Sequence, residues 1–430
     1  MCGGGGANVT LLEDSFDELL VRFADEKPQF DYIVFHGIFS WVPRPTQDAM
    51  LQIVRQTLKP GGVVYASYNC HPGWSPKAPS RHVLKLFSEY SSGGTIEKVH
   101  NMLGFFESFL QSQPSYMTST PVSQRVLADV KKYVDNRKEN YVAHEYFAGT
   151  WELFWFSDVA ARMQDMGKCS YACNAKIIEH YEDLNVSPEG LAFLKSIKNR
   201  IFREQLKDFY VNRQFRTDIY QKGHAKLNPF EIMQKLLNTE FVLLKPLSAF
   251  KNKIGTPRGE AELARDIYDK VLDMLAQRSF APKMMREIQQ GTGIAFPQLL
   301  NALSLLVSQG MCLPCQKYNN KVKKQVDAYN RNLFEQQTLK NGSVFVASPL
   351  TGSGVMISDT VQLMIKAHME NRKSKDELAR YVWDIYKPQG CKHVKDGKVL
   401  SEDSENIAEI ERMAQEFLQR LPIYKQLGIC

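Results

Sequence analysis

The sequence predicts an α/β protein with a parallel sheet in its N-terminal part and a mainly helical C-terminal part. Apolar runs of strand length at residues 8–14, 30–36 and 63–69 alternate with amphipathic helical stretches at 15–23 and 45–62. Runs that are apolar at almost every position are typical of parallel strands covered on both faces. Beyond Pro72 the apolar residues recur with helical spacing, which favours helices for most of the remaining chain.

The helices of the first part have recognisable ends. Ser15 is a plausible N-cap, and Pro60-Gly61-Gly62 closes the second helix. Further along, residues 81–111 and 121–136 read as helices, and Gly255–Gly259 reads as a linker. Three helical stretches at 260–277, 282–290 and 296–309, followed by the extended segment MCLPCQ, have the layout of a winged helix over about residues 255–320.

Composition limits the class of protein and its surroundings. The 430 residues suffice for two or three domains, and 43% hydrophobic with 23% charged residues is ordinary for a soluble globular chain. No run approaches the roughly 20 apolar residues of a membrane span, and no basic flank marks a signal peptide. Eight scattered cysteines fit a reducing compartment, so a cytoplasmic location is expected.

Several residues with functional side chains follow the ends of predicted strands. His36, Gly37 and Trp41 come directly after the second strand, while Tyr68 and Trp74 lie at and just beyond the end of the third. In parallel sheets, ligands bind beyond the carboxyl ends of the strands. The sequence therefore places a binding site there.

Specific motifs at these positions resemble one bacterial group. They are Phe30-Asp31-Tyr32, His36-Gly37, Ser40-Trp41-Val42-Pro43, Leu58-Lys59-Pro60-Gly61-Gly62, Ser67-Tyr68-Asn69, Pro72-Gly73-Trp74, His144-Glu145-Tyr146, Asn212-Arg213, Phe215-Arg216 and Ala347-Ser348-Pro349. They resemble the class I S-adenosylmethionine-dependent methyltransferases that carry a methyltransferase regulatory domain, among them the rickettsial protein lysine methyltransferases. The likeness spans nearly the whole chain, although Phe39 stands where the group usually has tyrosine.

The resemblance implies a fold, a cofactor and a domain division. It implies a Rossmann-like methyltransferase domain over residues 1–74, a regulatory domain over 75–185 and a mainly helical region over 186–430. The cofactor would be S-adenosylmethionine, and the protein cytoplasmic and bacterial. By the group's pattern, the cofactor would be held by Asp14, Ser15, Phe16, His36 and Gly37.

One departure from the group concerns the cofactor loop. A class I sheet opens with a strand, a glycine-rich loop and a helix, and Gly3–Gly6 do not follow a strand or open a helix. The strand order of such a sheet is 3-2-1-4-5, and here residues 8–14 resemble strand three and residues 30–36 strand four. Strands one and two, which would lie between them in the sheet, are therefore missing. We therefore expect a partial sheet with an exposed apolar edge. The cause would be a truncated chain or a misassigned start codon. We also expect weak or absent binding of S-adenosylmethionine.

Aromatic residues suggest the acceptor of the methyl group. An aromatic channel attracts an ammonium group and its methylated forms, which favours protein lysine; the alternative is that most of these rings are core. His36 is a candidate catalytic residue, with a hydrogen-bonded structural histidine as the alternative. Catalytic candidates are His36, Tyr68 and Trp74, and substrate-binding candidates are Phe39, Trp41, Tyr68, Trp74 and Tyr146.

Other functions compete with this interpretation. A chain without cofactor binding would be a non-catalytic regulatory or interaction protein derived from such an enzyme, and a homodimer is possible in either case. Cys312 and Cys315 form only half of a zinc site, so no metal is expected. The presumed recognition helix, residues 296–309, contains no Lys or Arg, which argues against nucleic acid as a partner.

Overall fold

The chain folds into two compact units, residues 1–226 and 227–430. The computed structural model describes residues 9–24, 27–223, 227–335, 343–395 and 398–430. Two strands from residues 169–222 join the sheet that residues 30–69 begin, which holds the first unit together.

The first unit contains a four-stranded sheet and eleven helices among its described residues. The strands are β1 (Phe30–Phe35), β2 (Leu58–Asn69), β3 (Cys169–Asn174) and β4 (Phe215–Lys222). The helices are α1 (Phe16–Arg22), α2 (Arg44–Thr57), α3 (Ala78–Tyr90), α4 (Thr95–Gln111), α5 (Ser115–Ser119), α6 (Val122–Asp135), α7 (Glu139–Phe147), α8 (Phe156–Asp165), α9 (Glu182–Asn185), α10 (Pro188–Ser196) and α11 (Arg200–Tyr210).

The sheet is mixed, with the strand order β1-β2-β4-β3. Strands β1 and β2 run parallel as predicted, with Ile33 opposite Val64 and Phe35 opposite Ala66. Strand β4, which the sequence did not predict, is antiparallel to both of its neighbours, so the sheet combines a parallel pair with antiparallel strands. The carboxyl ends of β1 and β2 still meet at one edge, which is where the sequence placed a site.

The segment before β1 differs from its prediction. Residues 9–14 form no strand, because no described strand lies beside them to complete a hydrogen-bonded ladder. Helix α1 does form as expected, since Ser15 and Glu18 make a reciprocal capping box. Among the described residues β1 is an edge strand, and its Tyr32 and Val34 are 76% and 63% exposed. The Gly3–Gly6 run lies outside the described residues.

A helical insertion separates β2 from α8. Helices α3 to α7 share a core that includes Met102, Phe106, Val126 and Val142, distinct from the core between the sheet and helices α2 and α8. The predicted helix at 81–111 is two helices, because Ser91-Ser92-Gly93-Gly94 interrupts it. Since the insertion starts from the carboxyl end of β2, it is anchored beside that edge of the sheet.

The second unit contains small sheets and hairpins among eight helices in its described part. The strands are β5 (Glu240–Leu243), β6 (Lys253–Thr256), β7 (Gly259–Glu262), β8 (Lys283–Met284), β9 (Cys312–Pro314), β10 (Ser343–Ala347), β11 (Gly354–Ser358), β12 (Val394–Lys395) and β13 (Lys398–Val399). The helices are α12 (Pro229–Leu237), α13 (Arg265–Phe280), α14 (Met285–Thr292), α15 (Phe296–Ser308), α16 (Asn320–Glu335), α17 (Asp359–Met369), α18 (Lys375–Tyr386) and α19 (Asp403–Gln426).

A three-stranded sheet in the second unit has the order β8-β5-β9, so its central strand precedes the helices α13 to α15 in the chain. The segment Gly255–Gly259, expected to be a linker, instead forms the turn of the β6–β7 hairpin. In α15 the residues Leu299, Leu303 and Leu306 are buried. Within the described residues no single helix is long and apolar enough to cross a membrane; α14 and α15 pass that test only together, across a 119° bend.

The position of β5 changes where the second unit can be cut. A fragment starting near Gly255 would lose β5, whose Val242 and Leu243 are buried and pair with β9. We expect the fragment of residues 227–430 to fold alone and to melt in one cooperative thermal transition. The fragment of residues 255–430 should show no cooperative transition. Circular dichroism melting of both fragments checks this. A cooperative melt of the shorter fragment would contradict the assigned role of β5.

Candidate functional site

The carboxyl end of β1 leaves an open stretch of backbone at Gly37. Gly37 has φ +63°, a left-handed conformation that favours glycine, and no atom lies within 4 Å of the place a side chain would begin. Its N–H donates to the Ser67 hydroxyl at 2.8 Å, which ties the end of β1 to β2. This explains why β1 ends in His36-Gly37: the turn needs glycine, and the space beside it stays free.

The turn after β2 is equally constrained and places Trp74. The N–H of Asn69 donates to the Ser40 hydroxyl at 2.9 Å, and that of Gly73 donates to the Arg213 carbonyl at 2.8 Å. A side chain at Gly73 would come within 2.5 Å of two backbone carbonyl oxygens, so only glycine fits there. The indole of Trp74 is thereby held beside the strand ends.

Helix α7 of the insertion is fixed from its carboxyl end by a buried cation. Arg81 is 4% exposed and donates to the carbonyls of Glu145 at 2.9 Å and Ala148 at 3.1 Å. Its guanidinium lies 4.2 Å from the ring centre of Trp151, and burial lowers its pKa to about 10. A cation at a helix carboxyl terminus is favourable, so Arg81 sets the orientation of the residues that α7 presents.

A cleft of about 410 Å³ lies between the strand ends and the insertion. Its wall combines aromatic rings with a small number of charged groups. The sheet side and the loops after it contribute Gly37, Trp41, Asn69, Trp74, Gln214 and Phe215, and the insertion with the segment leading into it contributes Lys77, Asp129, Tyr133, Tyr141, His144, Glu145 and Tyr146.

The aromatic rings of the cleft support one another in pairs. Trp41 packs against His144 with ring centres 4.3 Å apart, and Trp74 meets Trp151 edge-on at 5.4 Å. Tyr133 and Tyr141 lie 4.8 Å apart. These contacts give the rings defined positions in the cleft wall, which suits recognition of a cation or of an extended apolar chain.

Two carboxyl groups accompany the rings. Glu145 is 9% exposed, and burial raises its pKa even though the nearby Arg81 and Lys77 act in the opposite direction. Asp129 is half-exposed and lies 3.4 Å from the ammonium group of Lys77. A buried carboxyl with a raised pKa beside a cleft is a candidate proton acceptor or cation ligand.

The raised pKa of Glu145 predicts a pH-dependent stability. A raised folded-state pKa means that the native state favours the protonated carboxyl, so this stabilisation is present at acid pH and lost as pH rises through the folded pKa. Glu145→Gln stays neutral throughout. We expect it to melt above the wild type at pH 8, with the difference disappearing near pH 4, in thermal unfolding.

The control for that melt is Glu107→Gln, a half-exposed glutamate of the same insertion that pairs with Lys131 at 3.1 Å. It should change the melting temperature little at either pH. A Glu145→Gln variant that is less stable than the wild type at pH 8 would show that Arg81 and Lys77 outweigh the cost of burial.

Some predicted site residues line this cleft and others do not. Gly37, Trp41, Trp74 and Tyr146 line it. His36 is exposed and lies outside the lining, where its ring stacks on Tyr65 with centres 5.8 Å apart.

Phe39 and Tyr68 are in the core of the sheet. Phe39 is fully buried against Phe154. Tyr68 is 1% exposed, and its hydroxyl donates to Asp218 at 2.5 Å. Neither ring reaches the cleft wall, because each points to the face of the sheet that α2 and α8 cover.

The residues expected beside the adenine ring are also not in the cleft lining. Arg22, the last residue of α1, binds both carboxylate oxygens of Asp14, which precedes the helix, and this hydrogen bond lowers the pKa of Asp14. Ser15 accepts the N–H of Glu18 as a helix cap, and Phe16 packs against the core of the sheet. Their side chains therefore have structural partners in this fold.

A buried ion network underlies the end of β2. Arg216 on β4 donates to Asp218 at 2.8 Å and to Asp208 of α11 at 2.6 Å, and all three side chains are at most 1% exposed. Tyr68 completes it through Asp218, and the Arg216 guanidinium lies 4.0 Å from the ring centre of Phe156. The network links β2, β4 and α11 directly below the cleft.

No group of three or more potential metal ligands occurs among the residues the structure describes. The two cysteines of the Cys-x-x-Cys motif lie on and after β9, and burial raises the pKa of Cys312 and of Cys315 to about 12. Burial thus disfavours the thiolate form on which redox and metal chemistry depend.

Comparison with known proteins agrees with this architecture. Residues 138–222 match the model of a predicted methyltransferase regulatory domain. The uncharacterized protein sll1526 of Synechocystis is 32% identical over 99% of this chain and 82% of its own length. The uncharacterized protein RP789 of Rickettsia prowazekii is 26% identical over 51% of this chain and 37% of its own length.

Among solved structures, PKMT2 from Rickettsia typhi in complex with AdoHcy has a TM-score of 0.63. It is 17% identical, and the alignment covers 93% of this chain and 81% of that chain. A second structure of PKMT2 from Rickettsia typhi has a TM-score of 0.57. The chain belongs to the same family as the uncharacterized protein sll1526 of Synechocystis, its residues 138–222 match a predicted methyltransferase regulatory domain, and it shares the fold of PKMT2 from Rickettsia typhi.

Proposed function

We propose that the chain transfers a methyl group from S-adenosylmethionine to lysine side chains of proteins, against the weak or absent donor binding that its missing glycine-rich loop led us to expect. The observation that carries this proposal is the cleft beyond β1 and β2, where aromatic rings and two carboxyl groups face one space of about 410 Å³. Aromatic faces and carboxylates both attract an ammonium group, and a lysine side chain combines that group with an apolar stem.

The acceptor would be held by rings and carboxyl groups together. The Trp41 and Trp74 indoles offer apolar surface to the lysine stem, and Tyr146, which is 3% exposed, keeps its hydroxyl neutral because burial raises its pKa. Glu145 and Asp129 offer negative charge to the ammonium end. A neutral acceptor would lose the electrostatic part of this recognition.

Glu145 is suited to the proton transfer that the reaction requires. Methyl transfer to nitrogen needs the amine in its neutral form, so the bound ammonium must first release a proton. A carboxylate whose pKa is raised by burial is a better proton acceptor than an ordinary surface carboxylate. Arg81 fixes the backbone of Glu145 from the opposite side, which keeps the carboxyl in the cleft wall.

The donor would meet this cleft at Gly37. PKMT2 of Rickettsia typhi was solved with AdoHcy, the product that S-adenosylmethionine leaves after losing its methyl group. The open space beside Gly37 and the exposed position of His36 fit the approach of a bound molecule to the backbone. The donor supplies an electrophilic methyl group on sulfur, and this chain positions the acceptor for it.

The involvement of Gly37 and His36 is better supported than that of the N-terminal residues. Asp14 is engaged by Arg22 and would have to exchange that partner before binding an adenine amino group. Ser15 caps the N-terminus of helix α1, and Phe16 packs against the core of the sheet. We therefore assign the donor contact of the described residues to the ends of β1 and β2.

The second unit supports a protein-contact role in this proposal. Helix α15 contains no Lys or Arg, and the sheet β8-β5-β9 beside α13 to α15 resembles a winged helix whose third strand comes from earlier in the chain. A helix without basic residues lacks the phosphate contacts that DNA binding depends on. Contact with the acceptor protein, or with a second copy of the chain, fits this surface chemistry better.

The test is the identity of the methylated atom. The purified chain is incubated with methyl-tritiated S-adenosylmethionine and a mixture of lysine-rich and arginine-rich proteins, and the products are hydrolysed to amino acids. The proposal expects the label in methylated lysines. Label in methylarginine, in base-labile methyl esters or in added nucleic acid would replace lysine with another acceptor class.

A further inference from the structure

The cleft proposed to take the acceptor lysine already contains a lysine of this chain. Lys77 lines the same space as Gly37 and Asn69, and its side chain is 19% exposed. Its ammonium nitrogen lies 5.4 Å from the ring centre of Trp74 and 3.4 Å from a carboxylate oxygen of Asp129. These are the two kinds of contact that the proposed acceptor site offers to a substrate.

We infer that Lys77 is itself a methylation site of this enzyme, modified within the same molecule when no acceptor protein fills the cleft. The inference rests on the proposed lysine methyltransferase function. Lys77 precedes α3 directly and follows Trp74 by three residues, so its backbone is held in the wall of the cleft while its flexible stem can reposition the nitrogen.

The chemical step balances with the groups present. The Asp129 carboxylate, half-exposed to solvent, accepts the proton that the Lys77 ammonium releases and passes it to water. The lone pair of the neutral nitrogen forms the new bond to the methyl carbon of S-adenosylmethionine. The carbon–sulfur bond breaks toward sulfur, the sulfonium becomes a neutral thioether, and S-adenosylhomocysteine leaves.

Methylation would change the contacts of Lys77 in a definite way. The methylated nitrogen keeps its positive charge and its attraction to the Trp74 ring, but it loses a hydrogen-bond donor toward Asp129. An acceptor protein must displace Lys77 to reach the rings, so acceptor lysine and Lys77 compete for one place. Adding acceptor protein should therefore slow the labelling of Lys77.

The chain provides a matched control in Lys85. Lys85 on α3 is 20% exposed and pairs with Glu89, so its burial and its ion pairing resemble those of Lys77, but it does not line the cleft. Labelling caused by general reactivity would affect both lysines. Labelling caused by the cleft would affect Lys77 alone.

The experiment uses the full chain with trideuteromethyl S-adenosylmethionine, a lysine-rich acceptor protein in a parallel tube, and peptide mapping by mass spectrometry. We expect a deuterated methyl group on Lys77, at a rate per molecule that does not change with protein concentration. Lys77→Arg should abolish the label, and Lys85→Arg should leave it unchanged.

The outcomes separate the two hypotheses. A labelled acceptor with unlabelled Lys77 overturns self-methylation and leaves the proposed function standing. No labelled lysine in either tube overturns both. Label on Lys77 whose rate rises with protein concentration shows transfer between molecules and overturns the intramolecular assignment, as does equal labelling of Lys85.

Discussion

Asp218→Ala is expected to lower the free energy of unfolding of the first unit by about 3–5 kcal/mol, the usual cost of removing one partner from a buried ion pair. Asp218 is fully buried and accepts hydrogen bonds from Arg216 and from the Tyr68 hydroxyl. Its loss leaves both buried donors without that acceptor. The network joins β2, β4 and α11, so the damage should reach the sheet as a whole.

Urea unfolding followed by tryptophan fluorescence measures this effect. Four of the five tryptophans of the sequence lie in the first unit, and only Trp383 lies beyond residue 226. The control is Glu89→Ala, which breaks the exposed pair with Lys85 and should cost about 1 kcal/mol or less. If Asp218→Ala cost no more than that control, the remaining partners Asp208 and Glu204 would have to satisfy Arg216, and the network would not be the support of β2 described above.

Trp74→Ala is expected to reduce kcat/KM for protein lysine by about 30-fold, equivalent to the roughly 2 kcal/mol of a desolvated cation–aromatic contact. The indole of Trp74 is held in the cleft wall by the turn at Gly73, and a cation of the chain, Lys77, already lies over it. Trp74→Phe retains an aromatic face and should recover part of the loss.

The matched control for Trp74 is Trp155→Ala. Trp155 stacks between His71 and Phe209, with ring centres 4.5 and 5.7 Å away, and does not line the cleft. It should change kcat/KM little. Equal losses at the two positions would indicate that damage to the fold, and not loss of an acceptor contact, explains the effect of Trp74→Ala.

The helix predicted at residues 45–62 ends at Thr57, and Pro60-Gly61-Gly62, expected to close it, lies within β2. The sequence predicted β1 and residues 63–69 of β2 because these runs are mostly apolar. It missed β4, since the segment Phe215–Lys222 contains Arg216 and Asp218, whose charges look like those of an exposed helix. The structure buries both charges by pairing them with each other and with Asp208. Only the folded structure brings Asp208 and Asp218 together around Arg216, so composition alone could not reveal a strand there.

At the candidate site, the sequence did not predict which face of the sheet each side chain of β2 occupies. Ser67 and Asn69 point toward Gly37 and the cleft, whereas Tyr68 between them points to the opposite face and into the core. The position of Tyr68 at a strand end was predictable, but the face it occupies was not. Gly37, Trp41 and Trp74 follow the ends of the parallel strands β1 and β2, where the sequence placed a site, and all three line the cleft.

The insertion supplied the residues that the sequence did not single out. Asp129, Tyr133 and Tyr141 lie on α6 and α7, more than fifty residues beyond β2, and reach the cleft only through the packing of the helical core. Helical periodicity predicts which residues of α6 and α7 are buried, but not which neighbouring element their polar side chains face. The motif His144-Glu145-Tyr146 was the one signal in the sequence that pointed to this wall.

The most direct measurement is fluorine NMR of the chain labelled with 5-fluorotryptophan and titrated with acetylated N-methyllysine amide. The five tryptophan resonances are assigned by single Trp→Phe substitutions. If the cleft between the strand ends and the insertion is the acceptor site, the signals of Trp41 and Trp74 shift together, while those of Trp155 and Trp383 stay in place. Unmoved signals at Trp41 and Trp74, or shifts centred on Trp155 or Trp383, would contradict it.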